Sequence, residues 1–150
     1  MIYQMQEGYL TLEGEWRDQS MNVLVHLNSP NQGINIVVAR DILPEGMAFS
    51  DYIDQQKSTF EKELTKLDLI LDKNDDLIGN QTTHFLEFKW ENQGNPLHQI
   101  MGVVLIDDQI ISITATIPGI VTTEIRNSMY NIVKNYKTGI NPDLCPSSEL

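Results

Sequence analysis

His26, His84 and His98 are the side chains best suited to acid–base or metal chemistry, and their spacing works against both. If the segments around His84 and His98 pair as antiparallel strands across a loop of about six residues, the two lie roughly five positions out of step, or ~17 Å. They also face opposite sides of the sheet. Neither a shared metal nor a catalytic pair is expected, and ordinary solvent-edge histidines are the better reading. Asp75 with Asp76, and Asp107 with Asp108, lack the oxygen-ligand spacing of a calcium loop and read as turns. Ser147 and Ser148 have no histidine context for activation as nucleophiles. The single cysteine, Cys145, can close no internal disulfide, and no cofactor spacing uses it. Trp16 and Trp90 read as core or groove anchors rather than cofactor stackers.

The elements that position these residues follow from hydrophobic periodicity. Tyr9 to Leu12 and Ser20 to Leu27 read as strands, the second with Met21, Val23, Val25 and Leu27 on one face. A turn signal at Pro30 to Gly33 leads to a returning strand, Ile34 to Arg40. After Pro44, Glu45 and Gly46 the period lengthens: Phe49, Ile53, Gln56, Phe60, Leu64 and Leu67 form one stripe of a helix from about Ala48 to Lys66. A short strand is expected around Asp68 to Leu71, then a polar loop through Asn74, Asp75 and Asp76. Gln81 to Trp90, Leu97 to Ile106 and Gln109 to Ile117 form a three-strand meander. A second helix spans about Thr122 to Tyr136, with Thr122 or Thr123 as cap and Ile125, Met129, Ile132, Val133 and Tyr136 as its stripe.

If Asp107 and Asp108 form a two-residue hairpin loop, Ile106 stands opposite Gln109 and every pair behind them is fixed. Ile100, Val104 and Ile106 then share a core face with Ile111, Ile113, Ala115 and Ile117, with Gly102 leaving room for a helix. The opposite face joins Leu97, Gln99, Met101, Val103 and Leu105 to Ile110, Ser112, Thr114 and Thr116. It is mostly apolar and edged by amide and hydroxyl groups, like a groove. Two helices cannot cover both faces, and an uncovered apolar face marks a binding surface or an oligomer contact. Gln56 and Gln99 each interrupt an apolar row, and an unpartnered buried amide costs about 1 to 3 kcal/mol. Either each bonds a nearby group or sits at an edge, or both point into a cavity whose occupant brings its own polar backbone.

The 150 residues suffice for one domain with a sizeable core. With 21 acidic against 10 basic residues the net charge is −11, which argues against a nucleic-acid surface. Met1 to Glu7 has neither the basic start nor the apolar run of a secretory signal, so a cytoplasmic chain is expected. No run approaches the roughly 20 apolar residues of a membrane span, so direct membrane insertion is not expected.

Several local strings then fall in a familiar order. Tyr3, Gln4, Met5, Gln6, Glu7, Gly8, then Trp16, Asp18, Ser20 and Asn22 come first, followed by Val38, Ala39, Arg40, Asp41 at a strand end. Tyr52, Ile53, Asp54, Gln55, Gln56 on the helix and Ile111 to Thr116 on the last strand complete the set. Together they resemble the DcrB-related family, and within it the Eag chaperones of type VI secretion systems. The likeness covers residues 1–138 as a single domain; Gln6 departs from the family's frequent asparagine, and residues 139–150 form an unmatched tail expected to be mobile.

The resemblance implies an α/β (α+β) fold, a PsbP-like sandwich of a curved antiparallel sheet with two main helices. It also implies a homodimer without enzymatic activity or cofactor. Such chaperones hold the apolar N-terminal transmembrane segments of a PAAR-containing toxin effector in the cytoplasm until it is loaded on the secretion spike. The groove positions that match are Val23, Val25, Gln56, Leu64 and Gln99; strand pairing adds Ile36 and Val38, and Thr114 supplies a hydroxyl. Two other classes compete: a non-enzymatic module of the same fold that docks a folded protein partner, and a small-molecule-binding or hydrolytic enzyme with clustered ionisable groups. Metal analysis of natively purified protein is expected to return no stoichiometric transition metal; one held by two of the three histidines would reopen the enzyme reading.

Overall fold

The computed structural model describes residues 1–29, 31–74, 82–139 and 143. Expectations for Asp75, Asp76, Gln81, Cys145, Ser147 and Ser148, and for nearly all of the tail, lie outside these residues. Strands β1 (Ile2–Gln4) and β2 (Tyr9–Thr11) make a small hairpin. They are followed by β3 (Asn22–Val25), β4 (Asn35–Ile42), helix α1 (Phe49–Glu63), β5 (Thr65–Asn74), β6 (Thr82–Asn92), β7 (Asn95–Ile106), β8 (Gln109–Pro118) and helix α2 (Thr123–Lys134). The last six strands form one antiparallel sheet in the order β3-β4-β8-β7-β6-β5. One helix lies on each face. Among the described residues no helix is long and apolar enough to cross a membrane.

Tight turns set the register of the meander. Asn92 pairs with Asn95 around Gln93 and Gly94, both left-handed (φ 52° and 82°), and Ile106 pairs with Gln109 around Asp107 (φ 56°). Positive φ at the centre of a two-residue loop matches the twist of the strands it joins. The face assignment expected for β7 and β8 therefore stands, with Gly102 opposite Phe85 on the core side. Several boundaries moved, among them β3, which spans four residues rather than Ser20 to Leu27. Helix α1 ends at Glu63, with Leu64 extended, and Leu67 falls within β5, between Thr65 and Asp68, which pair with Glu91 and Lys89 of β6 across a bulge. Strand β5 is accordingly ten residues long rather than four. β1 was not anticipated: three residues leave no period to read.

The main core lies between the sheet and α2. Phe85, Ile100, Val104, Ile113, Ala115 and Ile117 meet Met129 and Val133, all nearly inaccessible. Thr122 caps α2, its Oγ1 accepting from the Ile125 N–H at 3.2 Å. A smaller cluster of Ile53, Val103 and Ile110 joins α1 to the other face, extended by the Phe60 and Phe88 rings at 5.1 Å.

Under α2 sits a buried carboxylate. Glu87 is 2% exposed; Arg126 grips it through Nε at 3.1 and 3.2 Å and Nη2 at 2.5 Å, and His98 Nε2 bonds its Oε2 at 2.5 Å. Burial pushes this carboxyl up, and the hydrogen bonds and charges of Arg126 and His98 more than reverse that, leaving it below the usual glutamate value. A carboxyl that titrates lower folded than unfolded contributes stability above the unfolded value of about 4.3 and loses it as pH falls through the folded one. Arg126→Ala is therefore expected to cost about 3 kcal/mol near neutral pH and to shrink the loss on acidification, because without the arginine burial raises the folded carboxyl back toward or above its unfolded value. Chemical denaturation across pH 3 to 7 checks both, and a wild-type profile from Arg126→Ala would remove the carboxylate from the stability account.

Candidate partner-binding groove

On the face that carries α1, strand pairing lines the side chains up in rows across the sheet. One row runs Val25, Asn35, Thr116, Gln99, Phe88; the next runs Val23, Val37, Thr114, Met101, Leu86. Residues directly opposite in an antiparallel pair share a face, so each row is a contiguous strip. Phe88 and Leu86 are buried, Gln99, Met101, Thr114 and Thr116 half-buried, and Val23 and Val25 are 61% and 62% exposed. Helix α1 covers the deep end and leaves the β3–β4–β8 end open. The result is a half-covered strip, the candidate trough, of apolar side chains with a line of amide and hydroxyl groups.

Of the residues expected to line it, Val23, Val25, Gln99 and Thr114 share this face. Gln56 and Leu64 are half-buried and lie four residues either side of Phe60 on the α1 stripe that meets the sheet. Among the described residues the Gln56 amide has no recorded hydrogen bond, whereas Gln99 has two: the Trp90 indole donates to its Oε1 at 2.6 Å, and its Nε2 donates to Thr116 Oγ1 at 2.9 Å.

Ile36 and Val38 do not line this trough. Their rows run Leu24, Ile36, Ala115, Ile100 and Asn22, Val38, Ile113, Gly102, on the opposite face, where both pack against the α2 core. There Leu24 and Ile36 also border a cavity of about 180 Å³ with Met129 and Ile132 of α2. Strand β4 contributes Val37 instead. The loop between β3 and β4 is too long to fix a register, with left-handed turns at Asn28 and Gly33, so pairing could not be counted from sequence as it could at Asp107. Val37, Met101, Thr116 and Trp90 complete the trough. Trp90 is thus an anchor as expected, whereas Trp16 is neither core nor groove: it is 61% exposed, its Nε1 bonded to the Glu13 carbonyl at 2.6 Å.

His84 and His98 are apart, as their spacing required; His26 is exposed as expected, but the other two are not at the solvent edge. His84 and His98 lie on opposite faces, 7% and 6% exposed. His84 bonds Asp72 at 2.5 Å and Asn74 at 2.6 Å, and Lys57 of α1 reaches the other Asp72 oxygen at 2.8 Å. Burial pushes the Asp72 carboxyl up, and Lys57 and His84 bring it below its ordinary value. The Tyr52 phenol, donating to Asp41 at 3.1 Å, is pushed up to about 12 by burial and by that carboxylate, so it stays neutral. The pairs Arg126–Glu87, Lys57–Asp72 and Tyr52–Asp41 each tie a helix to the sheet. Among the described residues no three His, Cys, Asp or Glu side chains converge as metal ligands would.

The protein named effector EagT6 from Pseudomonas aeruginosa strain PAO1 is 28% identical over 99 residues, 64% of this chain and 67% of that one. The crystal structure of PA94, a Pseudomonas aeruginosa protein of unknown function, superposes with a TM-score of 0.73 over 94% of this chain and 98% of its own at 19% identity, so the fold is shared. The solution structure of cyanobacterial PsbP (CyanoP) from Synechocystis sp. PCC 6803 gives a TM-score of 0.49 at 15% identity over 83% and 95% of the two chains. The DcrB family model matches residues 7–135, and the chain belongs to the DcrB family.

Proposed function

We propose that this chain is a cytoplasmic chaperone of a type VI secretion effector, and that its trough holds the apolar N-terminal helices of a PAAR-containing toxin until the toxin is loaded on the secretion spike. The observation that carries the reading is the pair of cross-strand rows: valine, methionine and phenylalanine floors crossed by Gln99, Thr114 and Thr116. The Eag name of its Pseudomonas relative supports it. The binding domain is residues 1–138, with the remainder a tail.

The energetics fit that cargo. A membrane-spanning helix in water gains about 25 cal/mol for each Å² of apolar surface it buries, while a net charge of −11 keeps the loaded complex soluble. Helices rich in small residues approach a surface closely and expose backbone groups to amide and hydroxyl partners. Gln56, Gln99 and Thr114 meet those groups; Val23, Val25, Val37 and Leu64 meet the hydrocarbon.

We further propose a homodimer. Val23, Leu24 and Val25 are exposed on an edge strand, and an edge that is apolar on both faces needs a cover. Light scattering at micromolar concentration is expected to give twice the chain mass; a strict monomer would remove the dimer and leave the trough.

Leu64→Asp is expected to abolish stabilisation of the co-expressed effector N-terminal segment, because an unpaired charge would face hydrocarbon. Gln56→Ala and Gln99→Ala are each expected to weaken binding by about 1 to 3 kcal/mol. Soluble yield of the segment beside the melting temperature of each variant reads this out. If all three fold and keep wild-type yield, the trough is not the binding surface, and docking of a folded partner takes its place.

A further inference from the structure

Two partners of different character hold Gln99, and they fix which way round its amide lies. An indole N–H can only donate, so the atom that Trp90 meets at 2.6 Å is the amide oxygen, and the nitrogen is turned to Thr116 at 2.9 Å. Among the described residues, what remains unused is one Nε2 hydrogen and the hydroxyl hydrogen of Thr116. An oxygen tolerates an empty second lone pair at little cost, whereas a covered N–H or O–H without an acceptor does not. Whatever lies over this part of the trough must bring acceptors.

An α-helix has that complement. Its interior N–H groups are all consumed by its own ladder, while each carbonyl keeps a second lone pair, and a proline within the helix frees one carbonyl completely. An extended strand would bring N–H and C=O groups in equal number along its edge. We propose that Trp90, acting through Gln99, makes the trough a hydrogen-bond-donating surface that selects apolar helices with a freed backbone carbonyl over uninterrupted ones. The proposal rests on the trough binding apolar helices. Trp90 is a positioning residue here; Gln99 and Thr116 make the contact.

The test uses the full chain and two probes of about 20 Leu and Ala residues, each fused to the same soluble carrier, one uninterrupted and one with a single central proline. Wild type is expected to bind the proline probe about five- to tenfold more tightly, the worth of one hydrogen bond. Trp90→Phe keeps a ring but removes the N–H, and is expected to equalise the two probes, whatever it does to the affinity they share. Thr116→Val, a smaller change, is expected to reduce the preference as well. The Gln99 side-chain NH₂ resonances of wild type are expected to shift with the proline probe and not with the other.

The outcomes separate. If wild type binds neither probe, the trough reading fails and this inference with it. Equal binding of both by wild type overturns the inference alone. So does a preference that survives in Trp90→Phe and Thr116→Val, which would assign it to the shape of the kink.

Discussion

A six-stranded sheet is about 24 Å wide, and a helix with its side chains is about 10 Å across. With one helix on each face, more than half of each face must find another cover or remain open. Every notable property of this chain follows from where the helices are placed against that deficit. Helix α2 is drawn toward β6 by Arg126 on Glu87 and by the Tyr130 ring 5.5 Å from Phe85. The later turns of α1 are drawn toward β5 and β6 by Lys57 on Asp72 and by Phe60 on Phe88. On the α1 face the β3–β4 side is left open, whereas on the other face Ile36 and Val38 pack against the α2 core and β3 alone stays exposed.

The ion pairs therefore act as placement devices more than as reserves of stability. A buried carboxylate with a bidentate arginine contributes little net against a well-packed hydrophobic alternative, yet it permits only one seating of the helix. The same holds for the cluster of Asp72, His84, Asn74 and Lys57, which fastens α1 without any of its groups reaching the trough. Chemistry-bearing side chains are thus spent on architecture, and the open face is lined by residues that can pack and hydrogen-bond but cannot donate or accept protons at neutral pH.

The meander was legible from sequence because its period is two and the Asp107–Asp108 turn is too short to allow more than one register; Gln99 and Thr114 were placed correctly for that reason. Ile36 and Val38 were assigned to the wrong face because the chain between β3 and β4 carries no such constraint. Leu67 fits a helical stripe and a strand equally well, and the pairing of its neighbours Thr65 and Asp68 with β6, a tertiary fact, decides between them. The burial of His84 and His98 depends on Asn74, Asp72 and Arg126 arriving from other elements, which no local pattern announces. Trp90 was recognised as an anchor, but its bond to Gln99 appears only once the strands are registered, two positions apart across the β6–β7 pair.

Connectivity gives the two halves of the trough different histories. β6, β7 and β8 are joined by two-residue turns and pair with their immediate neighbours in the chain, so this half closes its contacts cheaply and early. β4 reaches β8 only across a large separation, Val38 lying opposite Ile113, and β3 hangs on β4 alone at the outer edge. Such an edge has the fewest neighbours to lose and belongs to the low-cost end of local opening. The end of the trough that carries Gln99 is thus built on strands paired on both sides, whereas the end that carries Val23 and Val25 depends on a single strand pair.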